Sequence, residues 1–107
     1  MNSILENNLL KVEVSSLGAE LQSITSKASG YEYLWQGDET YWKDRALNLF
    51  PYIARLTEGK YTLDGKTYEM PIHGFVNSSD LEVEEHTAQR LVLKLTDSED
   101  TREMYPF

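Results

Sequence analysis

The dipeptide Asp64-Gly65, set between two alternating runs, constrains this chain more than any other feature. A two-residue hairpin loop of type I′ needs positive φ at both central positions, which is why Asp-Gly is a preferred pair there. With those two residues as the loop, the pairing of Lys60-Tyr61-Thr62-Leu63 with Lys66-Thr67-Tyr68-Glu69 has no freedom left. Leu63 faces Lys66, Thr62 faces Thr67, Tyr61 faces Tyr68 and Lys60 faces Glu69. A threonine pair, an aromatic pair and an opposite-charge pair each stabilise a ladder by roughly 0.2–1 kcal/mol. A slip of one residue sets Tyr against Thr and loses all three.

Period two continues through much of the chain. Leu10-Lys11-Val12-Glu13-Val14 alternates as a half-buried strand requires. A second strand follows the Ser15-Ser16 break over residues 17–24, with Gly18 marking a bend or bulge. Tyr31-Glu32-Tyr33-Leu34-Trp35, introduced by Ser29-Gly30, reads as a third. Residues 81–85 and 91–96 form a further pair, joined through His86-Thr87-Ala88-Gln89, with Leu91, Leu93 and Leu95 on one face. Helical signals are confined to two single turns. One is Asp38-Glu39-Thr40-Tyr41-Trp42, where Asp38 can accept from backbone N–H groups, and the other lies between Asp97 and Glu103. Short strands separated by Gly, Asp and Ser turns predict an all-β fold, an antiparallel β-sandwich or large antiparallel sheet. The 107 residues suffice for one domain.

Charge narrows the function classes. Ten basic against 18 acidic residues give a net charge of -8, a field that repels phosphate backbones and anionic membranes. Nucleic acid and membrane partners are therefore not expected. The chain has no cysteine, which excludes thiol catalysis, disulfides and zinc–thiolate sites and fits a reducing cytoplasm. Met1-Asn2-Ser3-Ile4-Leu5-Glu6 lacks the basic and apolar regions of a signal peptide. No apolar run approaches the roughly 20 residues a membrane helix needs. A cytoplasmic location is the expectation. The apolar end Met104-Tyr105-Pro106-Phe107 reads equally as a tail that packs down and as the approach to a further strand.

Two residues stand apart from strand chemistry. Leu49-Phe50-Pro51-Tyr52-Ile53-Ala54-Arg55-Leu56 places an arginine in an apolar stretch, so Arg55 needs a carboxylate, backbone carbonyls or a ligand hydroxyl. Met70-Pro71-Ile72-His73-Gly74-Phe75 does the same with a histidine directly after the hairpin. Pro71 ends strand pairing and Gly74 allows a close backbone approach. His73 is then either a satisfied core residue or a group that bonds a sugar hydroxyl and moves a proton. His86, beside three glutamates in the expected turn, reads as exposed and without a role. The two histidines have no metal-ligand spacing, and neither a phosphate loop nor a nucleophile elbow is present. Trp35, Trp42, Phe50, Tyr52 and Phe75 are either core or the aromatic platform of a sugar site.

The ordered set of segments resembles the aldose 1-epimerase (galactose mutarotase-like) family, in particular its LacX-like bacterial branch. It runs from Gly18-Ala19-Glu20-Leu21 through Tyr33-Leu34-Trp35-Gln36-Gly37-Asp38 and Tyr41-Trp42 to Leu49-Phe50-Pro51 with Arg55-Leu56. Gly59-Lys60-Tyr61, the hairpin, Met70-Pro71 with His73-Gly74-Phe75, and Thr101 with Tyr105-Pro106-Phe107 complete it. The resemblance implies that residues 1–107 are the N-terminal part of a single, longer antiparallel β-sandwich domain. It implies acid/base interconversion of the α and β anomers of a hexose, with no cofactor and no metal. Arg55 falls at the family's substrate-binding arginine, and His73 at its first active-site histidine, catalytic and substrate-binding alike. The family's second histidine and its glutamate base have no counterpart in this sequence. Ala54 stands where the family commonly has glycine, and Val76-Asn77 where it commonly has Ala-Arg. The partner implied is a small sugar, an aldohexose or a derivative. The alternatives are a non-catalytic carbohydrate-binding fragment and a β-rich unit that self-associates, as a homo-oligomer, through exposed strand edges.

Overall fold

The Asp64-Gly65 hairpin forms in the register its turn dictates. In the computed structural model, which describes residues 1–107, β4 (Lys60–Leu63) and β5 (Lys66–Glu69) pair Lys60 with Glu69, Tyr61 with Tyr68, Thr62 with Thr67 and Leu63 with Lys66. Asp64 and Gly65 adopt φ of 50° and 79°, the positive values the loop demands. Ahead of the hairpin lies an antiparallel meander of β1 (Asn2–Glu6), β2 (Leu10–Ser15) and β3 (Leu21–Ser26). After it come the antiparallel pair β6 (Glu82–His86) and β7 (Leu91–Lys94), then the one short helix α1 (Glu99–Met104). The all-β, antiparallel expectation holds.

Local chemistry explains the boundaries. Asn7 Oδ1 accepts from the N–H groups of Leu9 and Leu10 at 2.8 and 2.9 Å, closing the turn between β1 and β2. Strand β1 has no strong alternating signal, because its inward position is the buried Ser3. The second strand starts at Leu21 instead of residue 17, since Gly18 and Ala19 form a reversal with φ of 68° and 50°. A Cβ on Gly18 would lie 2.8 Å from the Asn77 carbonyl oxygen, so the reversal packs tightly on residue 77. Ser98 and Thr101 exchange side chain and backbone bonds as a capping box at the start of α1, and the Tyr61 hydroxyl donates to the Met104 carbonyl at its end. Asp38 closes a turn by accepting at Oδ1 from the Thr40 N–H at 2.9 Å, without a helix.

Two expectations need correction. Residues 31–35 are not a ladder strand; one bridge, Thr25 to Glu32, is all that pairs them with β3. The Glu32 carboxylate accepts from the Ser23 hydroxyl and from the Ile24 and Leu34 N–H groups. A side chain has thus replaced the carbonyls a strand would have offered, and Tyr31, Tyr33 and Trp35 are left outward. His86 does have a task. It ends β6, and its Nε2 lies 2.8 Å from the Ile4 carbonyl oxygen, while the Glu6 N–H donates to Ala88 O at 2.7 Å, so β6 is fastened to β1.

The core is thin. Val14, Tyr68, Met70 and Phe75 are its buried apolar residues. The Cα radius of gyration is 16.7 Å, against about 13 Å for a compact chain of this length. The shortest dimension is only 17 Å, enough for little more than one sheet with its side chains. A tyrosine cluster supplies much of the packing: Tyr61 stacks on Tyr68 at 5.3 Å and meets Tyr52 at 5.1 Å, and Tyr52 meets Tyr105 edge-on at 6.3 Å. Burial pushes the Tyr61 phenol above its ordinary value, helped by the neighbouring phenols. No helix is long and apolar enough to cross a membrane.

Glu32 gives a testable consequence. The Ser23 hydroxyl, followed by the Ile24 N–H, holds its carboxyl below the ordinary 4.5. A depressed folded value means that its contribution is complete above the ordinary value and lost as pH falls through the lower, folded one. Glu32→Gln should lower the urea midpoint at neutral pH and flatten its decline in acid. Parallel midpoint curves for the two proteins would show that the carboxylate does not anchor residues 31–35.

Candidate functional site

Two loops converge beside the hairpin, residues 50–56 and 70–75. Pro51 and Pro71 remove ladder donors from both, so neither continues as a sheet strand. They meet instead through a parallel bridge between Phe50 and Gly74. The Phe50 N–H donates to His73 O at 3.2 Å, and the Phe75 N–H returns to Phe50 O at 2.9 Å. Gly74 has φ of 80°, and a Cβ there would sit 2.0 Å from Phe50 O and 2.7 Å from Pro51 N. Only glycine fits this approach, as the sequence suggested.

The tip of the pair is unusual. Ala54 and His73 both occupy the left-handed region, at φ of 66° and 65°. They are joined twice: the His73 N–H donates to Ala54 O at 3.0 Å, and the Ala54 N–H donates to His73 Nδ1 at 3.0 Å. Such backbone costs about 1–3 kcal/mol per residue and persists where surrounding bonds over-determine it. His73 is half-buried, and its Nε2 makes no hydrogen bond within the chain. Arg55 follows Ala54 directly. It is exposed and engages neither a carboxylate nor a carbonyl of this chain, so water solvates its guanidinium and the partner expected of a buried arginine is not needed.

The aromatic candidates divide. Phe50, half exposed, contacts Phe75 and Tyr105 edge-on at 6.2 and 5.9 Å, and Tyr52 joins the tyrosine cluster beneath the same loop. Phe75 is buried and belongs to the core. Trp35 and Trp42 stand elsewhere, with the Trp35 indole N–H donating to Trp42 O at 2.8 Å and Tyr41 edge-on to Trp35. An apolar cavity of about 280 Å³ lies behind Phe50, lined also by Phe75, Leu95, Tyr105 and Phe107. Neither Arg55 nor His73 lines it.

Support for the loop comes from residues whose roles the sequence did not disclose. Glu20 Oε2 accepts from the Arg45 and Ala46 N–H groups at 3.0 and 3.1 Å. The Arg45 guanidinium donates to Gln22 Oε1 at 2.6 Å and Gln36 O at 3.1 Å, and Asn48 Nδ2 donates to Gly18 O at 2.8 Å. These bonds tie residues 45–48 to the start of β3 and so set where Phe50 enters the site. The repeated Gln and Glu around Leu21 was the available signal, but nothing in it announced a partner some 25 residues away.

A family model described as aldose 1-epimerase matches residues 3–107. The plasmid-encoded protein LacX of Lactococcus lactis subsp. lactis is 37% identical, in a match covering 76% of this chain and 28% of the relative. A galactose mutarotase related enzyme from Lactobacillus acidophilus superposes with a TM-score of 0.97 at 43% identity, covering 100% of this chain and 36% of that one. A galactose mutarotase-like protein from Lactobacillus casei gives 0.96 at 36% identity, again over 100% of this chain and 36% of the other. The chain thus spans 28% of the curated relative and about a third of the solved structures it matches. The strands described above are the N-terminal strands of the galactose mutarotase-like fold.

The left-handed backbone at residues 54 and 74 can be tested by opposite substitutions. Ala54→Gly relieves the strain and should raise stability by about 1 kcal/mol, the added chain entropy offsetting part of the gain. Gly74→Ala drives a methyl into backbone atoms that cannot swing aside and should cost about 3 kcal/mol or more. Urea denaturation of both variants checks this; midpoints shifted in the same direction would contradict the described backbone.

Proposed function

The chain belongs to the aldose 1-epimerase family, and on that premise we propose that it supplies part of the carbohydrate site of an isomerase interconverting the α and β anomers of a neutral aldohexose. In this reaction a base removes the proton of the C1 hydroxyl while an acid protonates the ring oxygen. The ring opens, the C1–C2 bond rotates, and closure yields the other anomer; proton transfer by positioned groups carries the step. No cofactor is required.

The observation that supports this reading is the double hydrogen bond between Ala54 and His73, which joins the residue preceding the exposed Arg55 to an imidazole whose Nε2 is unengaged. Arg55 offers a planar fork of donors suited to adjacent hydroxyl oxygens. His73 offers one ring nitrogen to the sugar near its ring oxygen, as the catalytic histidine of this segment. The Phe50 ring, half exposed on the same loop, offers an apolar face for sugar C–H groups. The net charge of -8 favours a neutral sugar over a phosphorylated one. The cysteine-free composition suits the cytoplasm as the setting.

A second reading is sugar binding without turnover. It is favoured by the engagement of His86, the only other histidine, with the Ile4 carbonyl, which leaves His73 as the one imidazole at the loop tip.

Titration with several hexoses, followed by tryptophan fluorescence and by histidine NMR shifts, tests the site. Binding should weaken roughly 10- to 100-fold in Arg55→Ala and in His73→Ala, the loss expected for hydrogen bonds from such groups. Unperturbed signals for every hexose at high concentration would refute a carbohydrate site on this chain. Polarimetry then separates the readings: faster approach to anomeric equilibrium favours the isomerase, and binding without acceleration favours recognition alone.

A further inference from the structure

We propose that the backbone N–H of Ala54 is a positioning group that locks His73 in its Nε2–H tautomer, committing the ring to donate and not to accept on its open side. The chemistry of that open side rests on the sugar-site reading above; the lock itself does not.

A neutral imidazole carries one N–H and one lone pair, and which nitrogen holds which is set by its partners. An amide N–H cannot accept. Its donation to Nδ1 at 3.0 Å therefore places the lone pair at Nδ1 and the proton at Nε2. Moving the proton to Nδ1 would aim two N–H groups at each other, which disfavours that tautomer by roughly ten- to a hundredfold. The ring has little room to evade the contact. Its own backbone N–H is held by the carbonyl of the same Ala54 at 3.0 Å, its carbonyl accepts from the Phe50 N–H at 3.2 Å, and the following Gly74 is pressed against Phe50 O. Both partners accept left-handed backbone, at φ of 66° and 65°, to make the exchange. Backbone strained in this way persists only where the surrounding bonds over-determine it, as the paired bonds of Ala54 and His73 do.

The consequence is a division of labour. With its proton at Nε2, His73 can bond a ring oxygen or a hydroxyl oxygen, and it lacks the lone pair needed to take the C1 hydroxyl proton. Arg55 next door is also a pure donor. His73 then reads a sugar oxygen as an acceptor, and the base of any anomer exchange must be a different group.

The direct test is a long-range proton–nitrogen correlation of the histidine rings in the intact chain, with His86→Gln used for assignment. The expected result is a single Nε2–H tautomer for His73, with a coupling across the hydrogen bond between the Ala54 nitrogen and Nδ1. An Nδ1–H ring, or an even mixture with no coupling, overturns the lock. His73→Asn supplies the second arm: asparagine tolerates left-handed backbone and can accept from the Ala54 N–H, but has nothing at the position of Nε2. It should keep the urea midpoint close to the parent while weakening hexose binding at least tenfold, whereas His73→Ala should lose both. Full hexose binding by the Asn variant would refute the donor role of Nε2. A locked tautomer in a parent that binds no hexose would refute the sugar site and leave the lock standing.

Discussion

Everything that makes this chain more than a set of hairpins depends on the approach of two proline-bounded loops at Phe50 and Gly74. That contact is possible because residue 74 has no side chain; a single carbon there would overlap the Phe50 carbonyl. Once the backbones touch, the alternating bonds from Phe50 to His73 and from Phe75 back to Phe50 hold residues 73–75 parallel to the segment that ends in Arg55. The hairpin below acts as a footing. Met70 donates to Gly59 O at 2.9 Å, and the tyrosine cluster fills the space between loop, hairpin and α1. A sheet ladder could not deliver this geometry, since it would turn the side chains of residues 54 and 73 to fixed faces.

Within these 107 residues, which span about a third of the structures they match, polar side chains fix much of the loop positions. Glu20 and Arg45 bind the entry to the Phe50 loop, Glu32 binds the stretch after β3, and His86 joins distant strands. The Glu20 and His86 bonds join side chain to backbone across 25 and 82 residues, the kind that specifies one arrangement more than it adds net stability.

What could be read from the sequence follows the same division. The β4–β5 register was legible because turn chemistry is local: Asp64 and Gly65 determine it without reference to anything else. The β6–β7 pair was legible for a similar reason, its alternation, and a helical turn was expected between Asp97 and Glu103, where the Ser98–Thr101 capping box starts α1. Residues 31–35 misled because their aromatic alternation is a strand signature, while the deciding event is a carboxylate reaching back nine residues to Ser23. Strand β1 was overlooked because its inward residue is a serine. At the site, an arginine and a histidine in apolar surroundings, and a glycine that invites close approach, were visible. The reciprocal bonding of Ala54 and His73 was not, since alanine, unlike glycine or asparagine, gives no signal of left-handed backbone.

That last point bears on how a site of this kind is built. The proposed tautomer of His73 depends on a group with no side-chain chemistry of its own, the amide of Ala54 within the first loop. A substitution at position 54 that preserves left-handed backbone preserves the amide in place, so glycine and alanine are equivalent in function while differing in strain. Proline, or a β-branched residue, removes or swings the donor and frees the imidazole to choose its tautomer. Under that proposal residue 54 acts through its backbone, and its side chain matters only through the φ and the N–H it permits.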